Sequence, residues 1–330
     1  MSARGGPRTT LPDGRQQPRF AGVATFCRFP LIDSAAATRS TVDWAVYGVP
    51  FDGGVTYRPG ARFGPRAIRD ASQYIKPFHL AHGVDIVEVL SLVDAGDAPV
   101  RPYSCKETLD AVCAFAVNLG DPGHTRLLAV GGDHSIAYAN LKATWQRRGR
   151  PSRGLAVVHL DAHLDTVDEV WQERWGHASP FLRAFEEGLV DPSRMVSLGI
   201  RGPLNTAGEV TAARDRGTEV VTCDEWRAGA GPERLAAFCR RIAADEVYLS
   251  FDIDCVDPAF APGTGTPCCG GFDSAGTFAL LRSLKGLQIV GADVVEVLPD
   301  RDPAGTTGLL AAHIIFEILS LAAAGAKGGA

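Results

Sequence analysis

Three short stretches concentrate the carboxylates and imidazoles that could do chemistry: Gly131-Gly-Asp-His-Ser135, Asp161-Ala-His-Leu-Asp165 and Ser250-Phe-Asp-Ile-Asp-Cys-Val-Asp-Pro258. On extended backbone, residues i and i+2 point to the same side, so Asp161 with His163, and Asp252 with Asp254, can face one point together, and Asp165 extends the row. With His134 this makes a set of four Asp and two His. So many carboxylates in one pocket repel and are costly to desolvate unless cations neutralise them. Mixed imidazole and carboxylate donors suit Mn, Fe, Co, Ni or Zn rather than an oxygen-only Mg or Ca site. Two ions ~3.5–4 Å apart with shared carboxylates use such a set economically and generate hydroxide near neutral pH, so the predicted chemistry is hydrolysis. Taken singly, the Gly-Gly-Asp-His-Ser stretch also fits a capped turn, the lesser reading, and Asp-x-Asp is weak. Their joint occurrence, each directly after a buried apolar run, carries the inference.

Those runs are the elements that must position the set. Trp44–Val49, Leu127–Val130, Leu155–Leu160, Met195–Ile200, Glu246–Phe251 and Gln288–Val295 are nearly continuous Val/Ile/Leu/Ala stretches, as in parallel strands buried on both faces. Helical patterns lie between them at Ser135–Arg148, Pro232–Ala244, Ser274–Leu284 and Gly308–Ala323. The alternation predicts an α/β protein, a three-layer α/β/α sandwich on a mostly parallel central sheet, with the ligand site outside the carboxyl ends of the strands. Residues 1–40, rich in Pro, Arg, Ser and Thr, read as an arm lying on the surface or on a neighbouring subunit. Residues 41–330 read as one catalytic domain without repeat or linker.

Composition narrows the partners. The 330 residues are 45% apolar and 22% charged with a formal net charge of −5, which argues against a nucleic-acid partner. The N-terminus lacks a signal-peptide core, and no run of the sequence registers as a membrane span; the expected location is cytoplasmic. Eight cysteines without a CxxC pair read as reduced, small buried apolar residues, with Cys268-Cys269, just after the third acidic stretch, set apart.

In these motifs the chain resembles the ureohydrolase family, which includes arginase, agmatinase, guanidinobutyrase and proclavaminate amidinohydrolase. Tyr57–Pro65, His177-Ala-Ser-Pro-Phe181, the block Ser250–Pro267 and Val294-Val-Glu-Val-Leu-Pro299 extend the match, in order, over residues 20 to 320. The resemblance implies two manganese ions, with Ni2+ as an alternative, one held by His134, Asp161, Asp165 and Asp252 and the other by Asp161, His163, Asp252 and Asp254. It implies that Glu296 grips a guanidinium, a planar cation matched to a carboxylate, with Thr266 beside it. His177 is implied to shuttle a proton to the leaving amine, and Asp165 to accept a hydrogen bond from the attacking hydroxide. The implied products are urea and an amine. Homo-oligomers, trimers or hexamers, are expected on the same ground.

The loop Thr166–Gly176, with Asp168, Glu169, Glu173, Trp171 and Trp175, lacks the polar stretch with which arginases grip an α-amino acid. An acidic, aromatic loop favours a cationic tail, which puts agmatine, cut to putrescine, first among small guanidino substrates. A guanidino acid of the 4-guanidinobutyrate type, or guanidine, is the alternative, and an inactive scaffold or partner subunit the non-enzymatic one. Leu164, Ala178, Ser179, Leu298 and Cys268-Cys269 depart from the agmatinase pattern.

Overall fold

A computed structural model describes residues 9–32 and 42–328. Eight strands form one sheet: β1 Trp44–Val49, β2 Leu92–Asp97, β3 Arg126–Gly131, β4 Leu155–Leu160, β5 Val190–Ile200, β6 Glu219–Thr222, β7 Glu246–Asp252 and β8 Gln288–Val295. Their order is β2-β1-β3-β8-β7-β4-β5-β6, and every pairing is parallel. The expected α/β sandwich is therefore present.

The two-residue period of the strands divides the core in two. Trp44, Val46, Leu128, Val130, Ala156, Val158 and Leu160 face one side, where α1 (Gly64–Ala71), α6 (Ala230–Arg241), α7 (Ser274–Ser283) and α8 (Thr306–Gly328) pack, and α5 (Gly208–Asp215) lies against β6. Ala45, Tyr47, Val49, Leu127, Ala129, Leu155 and Val157 face the other, against α2 (Cys105–Val117), α3 (Ile136–Arg147) and α4 (Pro180–Glu186). Strands apolar on both faces require this double cover, which explains why the apolar runs are nearly unbroken.

All six expected strands and all four helices are found, with ends shifted by a few residues. The edge strands β2 and β6 went unread. β2 (Leu-Val-Asp-Ala-Gly-Asp) hides its pattern because Asp94, fully buried, accepts hydrogen bonds from the Phe26 amide and from Arg69, at 2.9 and 2.8 Å. β6 has only four residues. Helix α8 has the length and apolarity of a membrane span, a property missed in the sequence; 72% of its apolar window is buried in the protein, which identifies a core helix. The arm expected over residues 1–40 lies partly outside the described residues. Its described part, 9–32, touches this chain: Thr9 Oγ1 donates to the Leu92 carbonyl at 3.0 Å, and Phe26 and Phe29 are buried.

The four central strands β3, β8, β7 and β4 end level with one another, with Val294 beside both Val130 and Phe251, and Phe251 beside Leu160. Their carboxyl ends form the floor of the site.

Candidate active site

Each of these four strands delivers part of the set: β3 leads to His134, β4 to Asp161, His163 and Asp165, β7 to Asp252 and Asp254, and β8 to Glu296. His134 Nδ1 lies 3.0, 2.8 and 3.2 Å from one oxygen each of Asp161, Asp165 and Asp252, yet is aligned for a hydrogen bond with none of them. His163 Nδ1 lies 3.3 Å from the other oxygen of Asp161 and 3.0 Å from Asp254. Asp161 thus spans two clusters, one around each imidazole.

The electrostatics favour cations here. Burial and the charges of Asp254 and Asp161 push the Asp252 carboxyl well up; burial and Asp161 do the same to Asp254. Burial works against charge on His134, but the three surrounding carboxylates overcome it and raise that imidazole well above its ordinary value. A single N–H satisfies one carboxylate, whereas a metal ion at the same point satisfies all of them. The donor set fits two divalent ions.

Two residues here hold left-handed backbone that non-glycine residues avoid, Asp165 at φ 51° and Glu296 at φ 65°. Such strain persists only where surroundings over-determine it. Glu296 is pinned by its amide, which donates to the Gly132 carbonyl at 2.9 Å. Its Oε1 accepts from the His134 amide at 2.9 Å and pairs with His177 Nδ1 at 2.8 Å. Its Oε2, on a side chain only 1% exposed, has no hydrogen-bond partner among the described residues. A desolvated carboxylate oxygen without a donor costs about 1–3 kcal/mol or more, so this atom awaits a cation or donor.

His177 is held from both ends. In the neutral imidazole the Thr56 amide donates to Nε2 at 2.9 Å and Nδ1 carries the proton given to Glu296; in the imidazolium Nε2 donates instead to Thr56 Oγ1 at 2.7 Å. Burial disfavours the imidazolium, but the Glu296 charge, aided by Asp133 and Asp165, outweighs it and raises His177 to about 9. Asp133 is no member of the cluster: its oxygens bond the Gly54 amide and Ser135, fastening the loop that carries Thr56. Thr266 Oγ1 donates to Asp254 at 3.2 Å.

The floor opens into a cavity of about 560 Å³ lined by Thr56, His163, Asp165, His177 and Thr266 at its base and, along its wall, by the apolar Leu164, Val167, Val170, Leu204 and Ala212 together with Asn205, Glu209 and Arg216. None of the three loop carboxylates lines it. Asp168 is paired with Arg174 and Arg183, and Glu173 accepts from the Trp175 amide at 2.7 Å. Trp171 is 78% exposed.

Three contributors escaped the sequence reading. Thr56 carries no signal in a loop. Ser250 and Asp293, both fully buried, stand behind His134: its Nε2 is 2.9 Å from Ser250 Oγ, which donates to Asp293 at 2.8 Å. An Asp inside the Val-rich β8 was the available clue. His159 lies 2.9 Å from Asp161 Oδ2 and 3.1 Å from Ser197 Oγ. His79 and His82 pair with the buried Glu317 of α8 at 2.9 and 2.6 Å. The cysteines are free thiols; Cys268 Sγ is 3.8 Å from His163 Nε2 and Cys269 is exposed.

A family model described as the arginase family matches residues 42–320. The chain is 42% identical over 313 residues to guanidinopropionase of Pseudomonas aeruginosa, covering 94% of this chain and 95% of that one. It is 37% identical over 314 residues to guanidinobutyrase of the same organism, covering 93% and 94% respectively. The solved structure of proclavaminate amidinohydrolase from Streptomyces clavuligerus superposes with a TM-score of 0.85 at 39% identity, covering 94% of this chain and all of that one.

Proposed function

We propose, from the premise that this chain belongs to the arginase family, that it is a binuclear-metal amidinohydrolase cutting a guanidino acid to urea and an amino acid. That it is a hydrolase acting on guanidino compounds follows from the family and its relatives; the acid is our reading. The carrying observation is Glu296 Oε2, a buried, unpartnered carboxylate oxygen beside the Asp/His cluster. Because Oε1 already serves two donors, the N–H groups of a guanidinium converge on Oε2, rather than bridging both oxygens as a free carboxylate would allow.

His134, Asp161, Asp165 and Asp252 would hold one ion, and Asp161, His163, Asp252 and Asp254 the other. Two such ions, Mn2+ first and Ni2+ second, supply activated water and Lewis acidity at neutral pH. The protein's own groups do the rest. Glu296 orients the cation and fixes the guanidinium carbon above the cluster. His177, its proton on Nδ1 toward Glu296 and its Nε2 toward Thr56, is the group placed to pass a proton to the departing amine. Asp165, at the cavity base, is the acceptor that aligns the attacking oxygen.

The case for agmatine rested on Asp168, Glu169 and Glu173, and those carboxylates are occupied or turned away from the cavity. Among the lining residues Glu209 accepts from the Thr206 amide at 3.0 Å, while Arg216 supplies a cation that favours a substrate carboxylate over an ammonium tail. The guanidino-acid names of the relatives above support the same direction. Cytoplasmic location and assembly as a trimer or hexamer belong to this reading and are open to fractionation and light scattering. The functional test is urea release by Mn2+- and Ni2+-loaded protein from 3-guanidinopropionate, 4-guanidinobutyrate, agmatine, arginine and guanidine in parallel. Turnover of a guanidino acid at least tenfold faster than agmatine is expected; preference for agmatine would refute the acid reading and leave the chemistry standing.

A further inference from the structure

We propose that Asp293 is a positioning residue that sets, through Ser250, which nitrogen of His134 is free to bind a metal ion, and so controls retention of one of the two ions. The inference rests on the metal reading above.

The argument is a count of hydrogens along a buried chain. Tyr47, Asn140, Tyr248, Ser250, Asp293 and His134 come from β1, α3, β7, β8 and the turn after β3, and all are at most 2% exposed. They are buried from bulk solvent, and their polar atoms find partners within the chain. An ionised carboxylate has only acceptors. Asp293 therefore receives the hydroxyl hydrogens of both neighbours, Ser250 at 2.8 Å and Tyr248 at 2.6 Å. Tyr248, its hydrogen committed, accepts from the Asn140 amide at 2.8 Å. The Asn140 carbonyl oxygen in turn accepts from Tyr47 at 2.8 Å, and its nitrogen also serves the Ala292 carbonyl at 2.8 Å, which fixes the orientation of that amide.

On the other arm Ser250, its only hydrogen given to Asp293, can offer His134 Nε2 nothing but a lone pair. His134 must then carry its proton on Nε2, at 2.9 Å from Ser250 Oγ, leaving the Nδ1 lone pair directed at the three carboxylates. That is the form of imidazole that binds a metal, and orientation by a carboxylate behind the ring also raises its basicity as a donor. Among the described residues no comparable device stands behind His163, whose Nε2 meets the Cys268 thiol at 3.8 Å. The relay therefore acts on one ion of the two.

The test uses the full chain, stripped with chelator, then titrated with Mn2+ alone in a calorimeter, with metal content counted after gel filtration. Asp293→Asn keeps the shape but brings a donor that can satisfy Ser250 as acceptor and release its hydrogen toward His134. Ser250→Ala removes the acceptor outright and guards against an Asn variant that fails to fold. Tyr248→Phe loosens the same network on the arm away from His134. The parent is expected to bind two Mn2+. Asp293→Asn and Ser250→Ala are expected to bind one with parental affinity and the other ~10–100-fold more weakly, with urea release recovered at high Mn2+, while Tyr248→Phe keeps both. Two ions at parental affinity in both relay variants overturn the proposal. So does equal weakening in Tyr248→Phe, which would mark a general packing effect. A parent that binds no ion overturns the metal reading itself, a separate result.

Discussion

Glu296→Gln tests the guanidinium reading most directly, because the structure dictates which way the amide must face. Oε1 accepts a backbone N–H from His134, so the glutamine oxygen has to occupy that position, and its NH2 group takes the place of Oε2. Donors of the substrate then meet a donor. Each charge-assisted hydrogen bond to a carboxylate contributes about 1.5–3 kcal/mol, and two N–H groups converge on Oε2. The loss is therefore roughly 3–6 kcal/mol, or ~10²–10⁴ in kcat/KM. Glu296 is no member of the Asp/His cluster, so metal content after loading should equal the parent's. The assay is urea release over a range of substrate concentrations, with bound metal measured on the same samples and folding checked by circular dichroism. A fall of less than tenfold, with metal retained, would refute the assignment of Oε2 as the guanidinium anchor.

Four further outcomes follow from the same geometry. Glu296 and neighbouring carboxylates raise His177 to about 9, so its imidazolium is lost as pH rises through that value; bound cations oppose the shift, placing the alkaline limb of kcat at or below about 9. Glu296→Gln removes the raising charge and should move the limb to lower pH, and an unmoved limb in the pH profile would dissociate it from His177. Chelation should abolish urea release, with Mn2+ restoring it. Because burial and repulsion raise Asp252 and Asp254, their deprotonation destabilises the metal-free fold as pH rises above the ordinary carboxylate range. The gain in melting temperature on adding Mn2+ should thus be larger at pH 8 than at pH 5, and a gain that shrinks with pH would contradict the sign. Gly54→Ala would bring a Cβ 2.9 Å from Gly176 Cα and 3.1 Å from the His177 amide, both backbone. Displacing the His177 loop should lower kcat/KM by about tenfold or more while metal content is kept, and parental kinetics would show that the loop is not a positioning element.

What could be read from the chain alone was whatever local period and residue type encode. The apolar runs of β3, β4, β7 and β8 mark strands buried on both faces, and Asp and His at fixed offsets beyond them mark the cluster, because side-chain alternation is a property of the backbone itself. The chain belongs to the arginase family, and its six candidate ligands stand at the carboxyl ends of β3, β4 and β7. The tertiary structure decided everything that depends on which strands are neighbours. The order β3-β8-β7-β4 brings Asp293 and Ser250 behind His134, a pairing between positions 43 residues apart that no spacing foretells. It likewise sets Thr56 against His177 across 121 residues. The loop carboxylates show the converse: composition identified Asp168 and Glu173 as acidic, but Arg174, Arg183 and the Trp175 amide consume them. Whether a charge is free depends on its partners, and partners are assigned only when the chain has folded.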